Sequence, residues 1–399
     1  YAFVKAIQFC IHKIAFRRYR NEMNRRDKVN MKREKWLTLG LIVAIVMSPV
    51  TDIYAQESNG TYETVGSGDY EESQVDDNSN KESDAKDGAA ENRNIATVSN
   101  EGIVGETGKN TTVTGDVTTT GETSDGVTAD GSNTKVTVKG NVTVSGTGSA
   151  GVSANNNATV EVTGNVEAKG DNQTHEGQTG GTYIDKWADG VEADNGSKVT
   201  VDGNVTSQKG WAIDSHGSDV TVNGDVHSEK GSAINARKGS TITIDGSVSS
   251  NAGITLGGII ETTESTIKIT KDVTAKNAWG ILAGSEADIE VGGNISSEKE
   301  AVYIAGKDAL IVVDGNVYST KGCAMDILEQ AEATVKGDVS GNKLAIWMDN
   351  SSKLQALGKI SSNDVGVLLS LYGDQGTGEL ELGTIDAQTA ISINYGEYK

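Results

Sequence analysis

The chain has 399 residues, with 35 Lys and Arg against 56 Asp and Glu and a formal net charge of −21 at pH 7. A surface that acidic repels nucleic-acid phosphates and anionic lipid headgroups, which argues against either as a partner. Its cysteines are Cys10 and Cys323 and its sole proline is Pro49, so no disulfide framework organises the fold.

Residues 1–30 are basic and aromatic, lack an initial Met and end just before Met31. They are expected to be a mistranslated leader, outside the mature protein. Residues 31–55 read as a signal peptide: Lys32, Arg33 and Lys35 form a positive start, Leu37 to Val50 an apolar run short for a membrane span, and Ala55 a small residue at the cleavage point. The mature chain then starts near Gln56 and is secreted or held at the cell surface. Residues 1–55 carry many of the Lys and Arg residues, so the remainder is more acidic still; its arginines are Arg93 and Arg237. Residues 56–98, rich in Ser, Asn, Gly, Asp and Glu, have too few apolar groups to offset the entropy of ordering. They are expected to be an acidic disordered linker.

Residues 99–399 repeat. A Gly-(Asn/Asp)-(Val/Ile) tripeptide recurs as Gly140-Asn141-Val142, Gly164-Asn165-Val166, Gly203-Asn204-Val205 and Gly224-Asp225-Val226, and again at Gly293, Gly315 and Gly337. From Gly115 to Gly383 the copies, some looser, lie 21 to 25 residues apart, save one gap of 39 that holds an insertion from Asp171 to Trp187. Before most of these glycines stands an alternating triplet such as Val136-Thr137-Val138 or Ile242-Thr243-Ile244, the pattern of a half-buried strand. After them comes a small residue followed by an aliphatic one, as in Gly151-Val152, Ala212-Ile213, Gly253-Ile254 and Ala345-Ile346.

Each repeat of roughly 22 residues thus holds three short strands, too few for a sheet of its own but enough for one turn of a coil. The next turn stacks in parallel about 4.8 Å above it. The fold class is all-β, a right-handed parallel β-helix of about 12 coils with three strands each. Ile213 is expected inward and Asp214 in solvent. The Asn/Asp of the tripeptide, in a turn, can adopt left-handed backbone and bond the next rung. Two Asp on adjacent rungs would repel, and Asp116, Asp225, Asp272 and Asp338 avoid this. The last coil starts at Gly383 and the sequence ends at Lys399 before its third strand, so a longer protein, truncated here, is expected.

The coil length, the three-strand plan and the Gly-Asn-Val punctuation resemble the pectin-lyase-like right-handed β-helix superfamily, which includes polysaccharide lyases, glycoside hydrolases and adhesins. Signal, acidity and repeat also resemble adhesin-like secreted repeat proteins of Gram-positive bacteria. The resemblance covers residues 99–399 and implies the fold and an extracellular setting.

It does not carry over a site. Ser215-His216-Gly217 lacks the pattern of the glycosidase relatives, and His216 and His227 read as solvated positions. Lys209, Lys230, Lys299, Lys321 and Lys343 recur in register and read as charge balance. No catalytic, cofactor or metal residue is assigned. Candidate ligand-binding residues are Tyr183 and Trp187 of the insertion, with Tyr303 and Trp347 of a further column. That column follows the aliphatic of each repeat: Thr128, Ser153, Glu192, Asp214, Asn235 and Thr255 early, then Leu282, Tyr303, Asp326, Trp347 and Leu368. Facing outward, its later part would be an apolar interaction stripe.

The expected function is that of a non-catalytic extracellular surface protein, a stalk or adhesin binding host or environmental glycans or surface proteins. The alternative is a carbohydrate-active enzyme of the same fold, a lyase or glycoside hydrolase. A tight group of acids with a base would favour the enzyme, and smooth ladders the adhesin.

Overall fold

A computed structural model describes residues 91–94, 98–99, 102–176, 182–251, 258–371 and 378–395. The expected leader, the expected signal peptide and most of the expected linker lie outside the described residues. Strand pairing reaches back to Glu91–Asn94 and Val98–Ser99, so the coils begin slightly before residue 99.

The alternating triplets form one sheet, the residues from the tripeptide's Val or Ile onward a second, and the small-aliphatic segments a third. Each has 13 strands whose neighbours are one repeat apart in sequence, a parallel β-solenoid. In the third sheet Val191 pairs with Ile213, and Ile213 with Ile234. Inward positions therefore stack into columns of β-branched residues: Val199, Val220 and Ile242 in the first sheet, and Val205, Val226 and Val248 in the second, none more than 1% exposed. The strand segments of each coil are so short that this column packing, extended from rung to rung, makes up the core.

The tripeptide punctuates the coil for two reasons. A Cβ on Gly203 would lie 2.6 Å from the Gly164 carbonyl oxygen and 2.4 Å from Asn165 Oδ1, so only glycine permits this rung spacing. The next residue caps the following rung: Asn204 N–H donates to Asn165 Oδ1 at 2.8 Å, and Asp225 N–H to Asn204 Oδ1 at 2.8 Å. The same ladder runs from Asp272 through Asn294 and Asn316 to Asp338. The expected rung-to-rung bond is there, but these residues are not in the left-handed region. Left-handed backbone sits instead in the turn between the third and first sheets, at Asn133, Asn195 and Asp308 (φ 63°, 56° and 59°).

The seventh repeat corrects the register. Ile234 pairs with Ile260 and Asn235 with Glu261, so Glu261 takes the position expected for Thr255, and residues 252–257 lie outside the described residues. The insertion forms an antiparallel hairpin, Gln173–Glu176 against Thr182–Lys186.

Candidate functional site

The third sheet turns every second side chain away from the core, and its outward face gathers the chain's polar and aromatic chemistry. The position after each inward aliphatic stacks as Ser153, Glu192, Asp214, Asn235, Glu261, Leu282, Tyr303, Asp326, Trp347 and Leu368. Two residues further on, Asp194, His216 and Arg237 form a parallel row. The stripe thus faces outward.

Its early part is acidic and tightly bonded. His216 bridges Asp194 (Nδ1 to Oδ1, 3.1 Å) and Asp214 (Nε2 to Oδ1, 3.4 Å). Asn235 Nδ2 donates to Asp214 Oδ1 at 2.7 Å, Arg237 Nε donates to Asn235 Oδ1 at 3.0 Å, and Ser232 Oγ donates to Glu261 Oε1 at 3.2 Å. Asp189 Oδ1 accepts the Trp211 N–H at 2.7 Å, and Lys186 of the hairpin reaches Asp125 at 2.9 Å.

So many carboxyls on one covered surface resist ionisation. Burial, then the charges of Asp214 and Glu192, push Asp189 well above the usual carboxylate range. Glu192 is pushed up to about 7 by burial and by Asp194, Asp125 and Asp214. Asp214 and Glu261 are raised by burial against the pull of His216 and Asn235 on the one and Arg237 on the other. The hydrogen bond to Asp194 raises His216.

Two expectations are corrected here. Asp214 points outward yet is only 8% exposed, covered by its neighbours rather than in solvent. His216 is no solvated bystander, because it ties two carboxylates together. His227 bonds Ser249 Oγ at 2.9 Å. Of the lysine column, Lys209 pairs with Asp171 at 2.8 Å and Lys321 with Glu298.

The later part of the face is aromatic. Trp279 and Tyr303 stack with centroids 5.8 Å apart, and Trp347 Nε1 donates to Ser370 Oγ at 2.9 Å. Asp326 lies between Tyr303 and Trp347, its carboxyl pushed up to about 7 by burial and by Glu300, against a hydrogen bond from the Cys323 thiol. Of the four candidate residues, Tyr303 and Trp347 therefore share one column on either side of a carboxyl. Trp187 packs tilted against Trp211, centroids 4.5 Å apart, beside Asp189, whereas Tyr183 is at the hairpin, stacked on His175 at 5.6 Å.

Sequence reasoning missed the acidic group as a unit. Its members stand in different repeats, so only correct strand register brings them together, and Glu261 was hidden by the irregular seventh repeat. No group of three or more His, Cys, Asp or Glu among the described residues is placed to hold a metal ion. Comparison with family models, curated proteins and solved structures finds no match to this chain.

Proposed function

We propose that the protein is an extracellular β-helix that binds glycans along the outward face of its third sheet, holding that surface away from the cell as a stalk or adhesin does. One observation carries the reading: the row of part-exposed rings Trp279, Tyr303 and Trp347 on a rigid, evenly spaced scaffold. Aromatic rings on such a face offer flat apolar surface to sugar rings, while neighbouring carboxyls offer acceptors to hydroxyls. The pectin-lyase-like and adhesin-like resemblance of the repeat supports the same setting. Binding to a glycan array, followed by calorimetry on Tyr303→Ala and Trp347→Ala, tests it. Each substitution should weaken binding by about tenfold or more, as for aromatic anchors elsewhere. Retention of no glycan, or full affinity in both variants, would overturn the reading.

A second reading has its own support. Glu192 accepts no hydrogen bond from the described residues, points outward and holds its proton to about pH 7, beside Asp194 and Asp214. A protonated acid next to a second carboxyl is the arrangement glycoside hydrolysis requires. Under this reading Glu192 protonates the departing oxygen as water attacks the anomeric carbon, and Glu192→Gln abolishes release of reducing ends while the glycan is still held on the rings. A wild-type protein that releases none from any glycan it binds would eliminate it.

A further inference from the structure

Asp326 differs from three other buried carboxyls of its face. Asp189, Asp214 and Asp349 each accept hydrogen bonds from named donors: Trp211 N–H, Asn235 Nδ2, and for Asp349 the Glu329 N–H with the Ser351 and Ser352 hydroxyls. Asp326 is 8% exposed; its carboxyl has the weak Cys323 thiol as a donor, and its Oδ1 is covered with no hydrogen-bond partner. An unsatisfied buried acceptor is costly, and structures keep few of them without a reason. Among the described residues no lysine or arginine forms an ion pair with Asp326 or with Glu300 and Glu329, the acids whose charges reach this subsite.

What the carboxyl lacks is a cation or a strong donor, and its neighbours in the column suit a cation. Tyr303 precedes it by one rung and Trp347 follows by one, so rungs about 4.8 Å apart separate the two ring positions by about 10 Å. Ring faces attract ammonium groups, most strongly where water is excluded. Both rings are part-exposed, so a ligand can reach the column from solvent. The same charges repel an acidic polymer: Glu300 and Glu329 stand here, and the acidic half of the face adjoins.

We propose that the Tyr303–Asp326–Trp347 column is a subsite for a protonated amine of an amino sugar, so that the glycan bound is a cationic one such as a glucosamine polymer. This rests on the glycan-binding reading and adds the ligand's charge to it. The ammonium sits between the rings and donates to Asp326, while the apolar faces of the adjoining sugars cover the aromatic surface.

Calorimetry on the full chain with β-1,4 hexamers of glucosamine, N-acetylglucosamine and glucose tests this, with oligolysine of equal charge as a control. The glucosamine hexamer should bind about tenfold more tightly than either neutral hexamer, a margin within reach of one desolvated cation–π contact with a carboxylate partner. Asp326→Asn, which keeps an acceptor for sugar hydroxyls but loses the charge, should remove that margin while the neutral hexamers still bind, and Trp347→Ala should weaken all three. Glu300→Gln, at a half-exposed position, should narrow the margin even if Asp326→Asn does not fold. Neutral hexamers that bind through Trp347 with no preference for the amine would overturn the subsite and leave the glycan reading standing. Failure of all hexamers to bind would overturn both. Oligolysine binding as tightly as the glucosamine hexamer would show a general polycation surface and would also overturn the proposal.

Discussion

Glu192 gives the sharpest test of the electrostatics of the outward face. Its carboxyl is raised from 4.5 to about 7, so between those values the folded chain holds a proton that the unfolded chain has released. Stability therefore falls as pH rises through that window, the reverse of the usual salt-bridged carboxylate. At about 1.36 kcal/mol per pKa unit the full loss is about 3 kcal/mol, most of it between pH 5 and pH 8. His216 is raised too, and a base with a raised pKa also loses its stabilising contribution as pH rises. The lowered carboxylates Asp171, Glu229, Asp349 and Asp386 act in the opposite sense, but only below the ordinary carboxylate range. Glu192→Gln removes the titration with little change of shape. Thermal unfolding followed by circular dichroism at pH 5 and pH 8 should show wild-type Tm falling as pH rises. The variant's fall should be smaller by about 5 °C, at roughly 2 °C for each kcal/mol in a chain of this size. An identical fall in both proteins would refute the argument that Glu192 is held protonated by burial and its acidic neighbours.

Ile213 is fully buried, so Ile213→Asp places an unpaired charge in the core and should cost several kcal/mol, enough to lower Tm by more than any surface change; equal melting of the two proteins would refute the inward register. Asp214→Ala should shift the His216 titration, followed by NMR, toward lower pH, because Asp214 is one of the charges that raises it, with Asp194 holding part of the shift in place. Asn204→Asp would set a carboxylate directly below Asp225 on the next rung, and the loss, about 0.5–1 kcal/mol by urea titration, should shrink as salt is added.

How much of this was legible in the sequence follows from the periods involved. The strands were legible because β-branched triplets such as Val220-Thr221-Val222 alternate, and the coil because the Gly-Asn-Val punctuation returns at nearly constant spacing. That spacing also set the register of Ile213 and placed Tyr303 and Trp347 in one column. It failed where spacing was irregular: in the seventh repeat, Gly253-Ile254 imitates the motif while Ile260 and Glu261 fill the column. Burial of outward residues was not legible either. Alternation gives the direction of a side chain, but the cover over Asp214 and Asp326 comes from neighbours two dozen residues away. The rung-to-rung bond of the tripeptide's Asn and Asp was expected, but spacing alone could not show that other residues, such as Asn133 and Asn195, take the left-handed turns.

The order of the outward column leads to one further expectation. Core columns change little from coil to coil, because each inward residue touches a like residue above and below. The outward column is free of that constraint, and it passes from polar and acidic through Glu261 to apolar and aromatic from Leu282 onward, broken by Asp326. From Glu192 to Trp347 it climbs seven rungs, about 34 Å at about 4.8 Å per rung. A linear ligand lying along the stack meets both zones only if it is long enough to bridge them. Affinity measured against oligosaccharide length should therefore rise in two stages, first on the rings and again when the free end reaches the acids. Glu192→Gln with Glu261→Gln should remove the second stage alone. Affinity that levels off at the length covering Tyr303 to Trp347 would show that the two zones do not share a ligand.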